Sequence, residues 1–232
     1  MRIFRRQTTE STNLDARAGE SGDVFTAEFQ TAGRGRLDHR WQSVYGENLM
    51  FSAVLEAGGK SPAEVATLPL VAGLALVKAL SPYVGGARLS LKWPNDVLCD
   101  GRKLAGILCE LNGERVIVGA GINVNQISFP PEIADRATSL ALAAGRKFER
   151  EPVLAAVLKS LFSWHGCWRK TGFASLHGEF AAIDHLAGRM VSVYQTDDDV
   201  KPVTGVCGGI QEDGTLLVGS VPIFAGEAHV AN

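Results

Sequence analysis

The chain has 232 residues, 46% of them hydrophobic and 21% charged, with a formal net charge of −2. A chain of this length can fold as one large domain, or a main domain with a small appendage, without disulfides or a structural metal. The near-neutral charge excludes bulk attraction to nucleic acid or an anionic membrane, so a phosphate-bearing ligand must be met by local clusters of arginine and lysine.

The four cysteines, Cys99, Cys109, Cys167 and Cys207, form no C-x-x-C pair, and the five histidines form no metal-binding pair. That usage fits a reducing compartment and assigns no metal site. Basic Met1 to Arg6 is followed by polar Gln7 to Glu10, where a secretory signal needs an apolar run. The longest uncharged apolar stretch, between Glu64 and Lys78, reads as too short to cross a bilayer. A cytoplasmic protein is expected.

Along the chain, Ser11-Thr12-Asn13 precedes a short helix, Leu14 to Ala18, that Gly19 ends. Val24 to Phe29 reads as a strand and leads into a polar loop rich in glycine and arginine, Thr31 to Arg40, closed by Trp41. A second strand spans Asn48 to Leu55. Ser61-Pro62-Ala63-Glu64 supplies an N-cap, a proline at N1 and a capping-box glutamate, so a long buried helix starts there and runs to about Leu80. Leu89 to Trp93 is a strand halted at Pro94. Val97–Cys99, Lys103–Leu111 and Glu114–Val124 follow as strands joined at Asp100-Gly101 and Asn112-Gly113, both strong hairpin turns. Pro152 to about Arg169 reads as a helix with Trp164 and Trp168 on one face, and Phe173 to Asp184 as another. From Gly188 the pattern becomes all-strand: Met190–Tyr194, Val203–Ile210, Leu216–Gly219 and one last short strand, a small β module with Asp197 to Asp199 in a solvated turn. The order predicts an α+β fold with a central mixed, mostly antiparallel sheet and flanking helices.

Four segments could carry chemistry. In Gly33-Arg34-Gly35-Arg36 the glycines let backbone approach a ligand and the guanidinium groups suit carboxylate or phosphate. Taken alone, such a loop is equally a solvated basic turn, but Gln30, Arg40 and Trp41 around it suggest a nucleotide lid. Lys92-Trp93-Pro94-Asn95-Asp96 presents an amide and a carboxylate at a strand end, or is simply an Asx turn. Lys103, leading into an apolar strand, either neutralises charge on an activated carboxylate or is a surface lysine at a hairpin end. Gly119-Ala120-Gly121 puts two glycines in a strand, as where a ligand or another backbone comes close, and is not a Rossmann fingerprint. There is no P-loop motif.

Together, Glu10-Ser11-Thr12-Asn13, Gln30 to Arg36, Gly46-Glu47-Asn48-Leu49, Lys92 to Asp96, Lys103 to Glu110 and Gly119 to Asn123 resemble the biotin–protein ligase family in order and spacing. Thr204-Gly205 and Asp213 to Leu217 resemble that family's C-terminal module. The resemblance implies a catalytic domain over residues 1–185, of the kind found in class II aminoacyl-tRNA synthetases, and an SH3-like barrel over 186–232. It implies that biotin carboxylate attacks the α-phosphate of Mg²⁺-bound ATP to give biotinyl-5′-AMP, which a lysine of a biotin carboxyl carrier protein then consumes. By position, Ser11, Thr12, Asn13, Gln30, Arg34, Gly35, Arg36 and Lys103 would contact biotin. Arg36, Trp41, Asn95 and Asn123 would face ATP. Lys103, Arg34, Arg36 and Asp96 would act in catalysis, Asp96 orienting the incoming lysine.

The chain departs from the family at Leu37-Asp38-His39, where a glycine and an arginine are usual, a change that could weaken retention of the adenylate. About ten residues precede Ser11, so no helix-turn-helix domain and no gene repression are expected, and the partners exclude nucleic acid and membrane. A homodimer through the edge strands of the sheet is expected. The rival readings are a lipoate– or octanoate–protein ligase and a non-catalytic biotin-binding protein.

Overall fold

The computed structural model describes residues 1–36, 40–195 and 201–231. The departure at Leu37 to His39 and the acidic run Asp197 to Asp199 lie outside the described residues. Seven strands form the main sheet: β1 (Arg2–Thr9), β2 (Asp23–Gln30), β3 (Leu49–Glu56), β4 (Leu89–Lys92), β5 (Asp96–Cys99), β6 (Arg102–Asn112) and β7 (Arg115–Ile122), in the order β1-β2-β3-β7-β6-β5-β4. Only β1 and β2 are parallel; every other pair is antiparallel, giving the expected mixed sheet with flanking helices.

Five helices accompany these strands: α1 (Thr12–Ala16), α2 (Pro62–Val65), α3 (Leu68–Leu80), α4 (Leu140–Ala144) and α5 (Arg150–Thr171). Helix α5 turns Val153, Val157, Leu161, His165 and Trp168 inward at four- and three-residue spacing, which makes one buried, mostly apolar face. Helix α3 is buried nearly all round because it lies between that face and the sheet. Each fully buried leucine there contributes roughly 1.5–3 kcal/mol. A Cβ on Gly73 would strike Leu91 of β4, so glycine sets the closeness of α3 to the sheet.

The helix from Ser61 keeps its capping box but breaks after Val65, because Pro69 cannot donate a backbone hydrogen bond, and resumes at Leu68. The stretch Pro62–Tyr83, 22 residues with mean hydropathy 1.7, has the length and apolarity to cross a membrane. It is instead a core segment here, with 67% of the apolar window buried. Phe173 to Asp184 holds only a short 3-10 helix, Ala174–Glu179. Strand β1 was not foreseen. It is an exposed edge strand whose basic residues hide the alternation of a half-buried strand.

The C-terminal part is a second, five-stranded antiparallel sheet, with β8 (Met190–Tyr194), β9 (Val203–Ile210), β10 (Leu216–Val218), β11 (Val221–Ile223) and β12 (Glu227–Val230) in the order β11-β10-β9-β8-β12. It has one strand more than expected, since Gly219-Ser220 turns β10 back into β11. Its inward residues, Val191, Val193, Leu216 and Ile223 among them, join the same buried cluster as the main sheet. Specific bonds fix the two parts together: His177 Nε2 to the Ile210 carbonyl at 2.7 Å, Ile210 N–H to Asp184 at 3.0 Å, and Trp93 Nε1–H to the Gly214 carbonyl at 3.1 Å.

Candidate active site

Parallel pairing of β1 with β2 decides where the first motifs meet. The register pairs Thr9 with Gln30, so both strands release their loops at the same edge. Bonds from Thr31 N–H to Thr9 (2.9 Å) and Ala32 N–H to Glu10 (3.0 Å) carry the pairing past the strand ends. Ser11 to Asn13 and the loop after Gln30 are thereby neighbours. The loop is pinched at its base by the bridge between Arg34 and Arg40 and by Trp41 N–H to the Gly33 carbonyl, 2.9 Å.

The cleft between these segments and the centre of the sheet encloses roughly 920 Å³ counted out to its mouth. Its lining includes Ser11, Thr12, Asn13, Gln30, Arg34, Gly35, Arg36, Trp41, Asn95, Asp96 and Lys103, together with Arg40, Lys92, Gly106, Gly119, Gly121 and Glu227. Asn123, expected beside the nucleotide, is not among the lining residues. It is buried, and its amide donates to the Thr138 carbonyl at 2.9 Å, a loop-fastening bond.

Glycines open the floor. Gly106 and Gly121 face each other across β6 and β7, and the Trp41 indole lies over the pair. A Cβ on Gly121 would run into the indole, and one on Gly106 would come within 3.2 Å of both the indole and Lys103. The Trp41 Nε1–H is buried without a hydrogen-bond partner among the described residues, a donor left for something else to satisfy. Gly119, two residues back along β7, admits the Asn13 amide in the same way.

The end of the cleft nearest α1 is polar and saturated. Gln30 Oε1 accepts from Thr12 N–H at 2.7 Å and from Thr12 Oγ1 at 3.1 Å. The fully buried Ser52 Oγ lies 2.8 Å from Thr12 Oγ1 and donates to Asn13 Oδ1 at 2.6 Å. Asn13 Nδ2 donates to Glu110 at 2.5 Å.

The other end carries positive charge. Arg34, Arg36, Arg40, Lys92 and Lys103 line the cleft against two carboxylates, Asp96 and Glu227. Lys103 Nζ lies 2.8 Å from Asp96 Oδ1, a contact of charges without the alignment of a hydrogen bond. Its backbone is clamped on both sides, N–H to Arg136 at 2.7 Å and carbonyl from Thr138 at 2.9 Å. Arg36 donates to the Gly226 carbonyl at 3.3 Å, and burial lowers its pKa. Burial also depresses the Lys92 pKa, with Asp96 and Glu227 opposing the shift and Lys103 and Arg136 adding to it. Such a surplus of partly desolvated cations suits a bound anion. Asn95 faces the cleft, while its amide donates to the Ile107 carbonyl at 2.7 Å and so fixes the turn after Pro94.

Sequence reasoning passed over Ser52, which reads as one more residue of an apolar strand, and Glu227, which belongs to the distant tail. Lys92 and Glu110 stood inside quoted motifs and received no role.

The comparisons agree with this geometry. Residues 3–126 match the family model described as the biotin/lipoate A/B protein ligase family. The chain is 33% identical over 220 residues to the bifunctional ligase/repressor BirA of Escherichia coli, covering 90% of this chain and 66% of that one, so it spans about two thirds of that relative. It is 33% identical to the biotin–[acetyl-CoA-carboxylase] ligase of Paracoccus denitrificans, covering 90% and 91% of the two chains. Among solved structures, the Aquifex aeolicus biotin protein ligase in complex with biotin and ATP is similar with a TM-score of 0.89, 30% identity and 99% of both chains covered. The match over more than half of the chain, carrying the segments that build the cleft, makes this chain a member of the biotin/lipoate A/B protein ligase family.

Proposed function

We propose that this chain is an ATP-dependent biotin–protein ligase that forms biotinyl-5′-AMP and passes the biotinyl group to one lysine of a biotin carboxyl carrier domain. The observation that carries the reading is one cleft that brings a hydrogen-bonding end and a cationic end together. The similar Aquifex protein, solved with biotin and ATP, supports the same pair of ligands here.

In the first step a carboxylate oxygen of biotin bonds to the α-phosphorus, the bond to the β-phosphate oxygen breaks, and pyrophosphate leaves. Arg34, Arg36 and Lys103 offset the like charges of carboxylate and phosphate. Ser11, Thr12, Asn13, Gln30 and the Gly35 backbone hold the biotin end. Trp41 offers adenine an aromatic face, with Asn95 on the same side. In the second step the lysine nitrogen bonds to the acyl carbon, the carbon–oxygen bond to AMP breaks, and the amine loses a proton. Asp96 orients that amine, and Lys103, now 2.8 Å away, shifts toward the phosphate. Mg²⁺ would enter with ATP, bound to its phosphates.

We further propose that the main fold is of the class II synthetase kind and that the tail, residues 186–232, is an SH3-like barrel with the catalytic domain over 1–185. The antiparallel order and the bulge between Leu217 and Val218 support a curled sheet. A cytoplasmic location and a homodimer complete the proposal. The outer edge of β4 is occupied by Ile183 to His185, whereas β1 ends the sheet at its other side, which supports pairing through β1.

The test is pyrophosphate release by the purified chain with ATP, magnesium and either biotin or lipoate. Release with biotin and none with lipoate is expected. Release with lipoate alone would move the chain to the lipoate branch of the family, and biotin binding without release would leave a binding protein.

A further inference from the structure

The buried end of the cleft is organised by a carboxylate that does not line it. Glu110, on β6, has a side chain only 24% exposed and is reached from three directions. Asn13 Nδ2 donates to its Oε2 at 2.5 Å, Arg17 stands 3.2 Å from its Oε1, and Arg34 stands 3.7 Å from the same oxygen. Asn13 and Arg34 line the cleft; Arg17 does not. One carboxylate therefore ties α1 to the arginine loop, adding to the bonds of Gln30 with Thr12 and the backbone bonds beyond β1 and β2.

Asn13 has little freedom to hold itself. Its amide fills the notch above Gly119, where a Cβ would collide with it. Its Oδ1 is taken by Ser52 Oγ, so the direction of the amide depends on which acceptor meets Nδ2. The Leu108 carbonyl, at 3.5 Å, is a poor one, which leaves Glu110. Asn13 and Ser52 continue through Thr12 to Gln30 Oε1, and that acceptor's engagement turns the Gln30 Nε2–H₂ group toward the loop at Gly33. For Arg34 the attraction is long and half-exposed, enough to bias the side chain over the polar end and weak enough to release it to a ligand anion.

We propose that Glu110 is a positioning residue for the acyl substrate: it sets Asn13, and through charge Arg34, so that the closed end of the cleft presents a fixed array of donors and acceptors to the ring of biotin. The proposal rests on the ligase reading and adds to it a residue that touches neither substrate. The chemistry it favours is a ring bearing N–H and C=O groups, such as a cyclic urea; an apolar dithiolane ring gains nothing from the array.

The experiment compares wild type with Glu110→Gln, Glu110→Ala and Arg17→Ala by calorimetric biotin binding, KM for biotin and for ATP, kcat and melting temperature. Glu110→Gln is isosteric and can still accept from Asn13, so it isolates the charge on Arg34. Glu110→Ala removes both. The expected order is a biotin Kd raised several-fold in Glu110→Gln and about tenfold or more in Glu110→Ala, the order of one lost charged hydrogen bond. Because Arg34 also belongs to the cationic lining, kcat should fall with it, but the KM for ATP should rise less than the KM for biotin. Arg17→Ala should match wild type. A biotin Kd unchanged in Glu110→Ala, or equal rises in both KM values in a variant that melts like wild type, overturns the proposal and leaves the ligase intact. A wild-type chain that neither binds biotin nor releases pyrophosphate overturns the ligase reading itself, and this proposal with it.

Discussion

The two ends of the cleft are built on opposite principles. At the α1 end Thr12, Asn13, Gln30 and Ser52 are already bonded to one another, and the acceptors and donors left over are few and fixed. At the other end Arg36 and Lys92 are partly desolvated without an ion pair within 4 Å among the described residues, and the Trp41 indole N–H has no partner. The first end is complete before anything binds, as selective recognition of a neutral ring requires, because misplaced buried polar groups are expensive. The second is incomplete and becomes electrostatically satisfied when an anion enters, as charge stabilisation requires. Selectivity and chemistry thus sit at different ends of one cavity.

Substitutions should separate the ends. Lys103→Ala removes the cation clamped nearest Asp96 and should lower pyrophosphate release by about 100- to 1000-fold, as removal of one preorganised electrostatic group does; a fall of less than about tenfold would place the chemistry elsewhere. Gln30→Ala breaks the bonds to Thr12 and should weaken biotin binding about tenfold with the KM for ATP nearly unchanged, roughly the loss of one buried hydrogen bond. A parallel loss in both substrates would erase the division between the ends. Gly121→Ala pushes a methyl group into the Trp41 indole and should raise the KM for ATP several-fold while leaving biotin affinity alone. Tryptophan fluorescence of the variant would report whether the indole has moved.

Smallest is an effect of pH on the scaffold. His165 is buried, with Nε2 at 2.9 Å from the Glu56 carbonyl, and burial lowers its pKa. The imidazole is neutral when folded and takes up a proton near pH ~6.5 when unfolded. Its stabilising contribution is therefore complete above that value and is lost as pH falls below it toward the folded pKa. The drop in melting temperature from about pH 7.5 to about pH 5.5 should be shallower in His165→Gln than in wild type. Equal slopes would show that another group, such as His185, whose pKa burial also lowers, carries the dependence.

Much of this was legible in the sequence, and the reasons differ by region. The cleft announced itself because its residues sit in short runs with unusual composition: Gly-Arg alternation, a lysine before an apolar strand, glycines inside a strand. Helix α5 and the hairpin at Asp100-Gly101 followed from periodicity and turn chemistry, the latter with both residues at positive φ. Strand β1 was hidden because an edge strand with one buried neighbour shows no alternation. Asn123 lost its expected place because a motif residue can serve the loop behind a site, here the Thr138 carbonyl, as readily as the site. Ser52 and Glu227 could not be found from local pattern at all, and Glu110 stood in a motif that gave no hint of its partners. The hydrogen-bond partners of Ser52 and Glu110 lie between 39 and 97 residues away in sequence, and Glu227 comes from the C-terminal sheet, so only the fold brings them near.

The most direct measurement is transfer itself. The purified chain would be incubated with ATP, magnesium and biotin, then given a biotin-carrier domain and, separately, the same domain with its acceptor lysine changed to arginine, with intact mass read by spectrometry. The account predicts a single biotinyl addition to the first domain and none to the second. Pyrophosphate release without any addition, or equal addition to both domains, would contradict a ligase that directs its adenylate to one lysine.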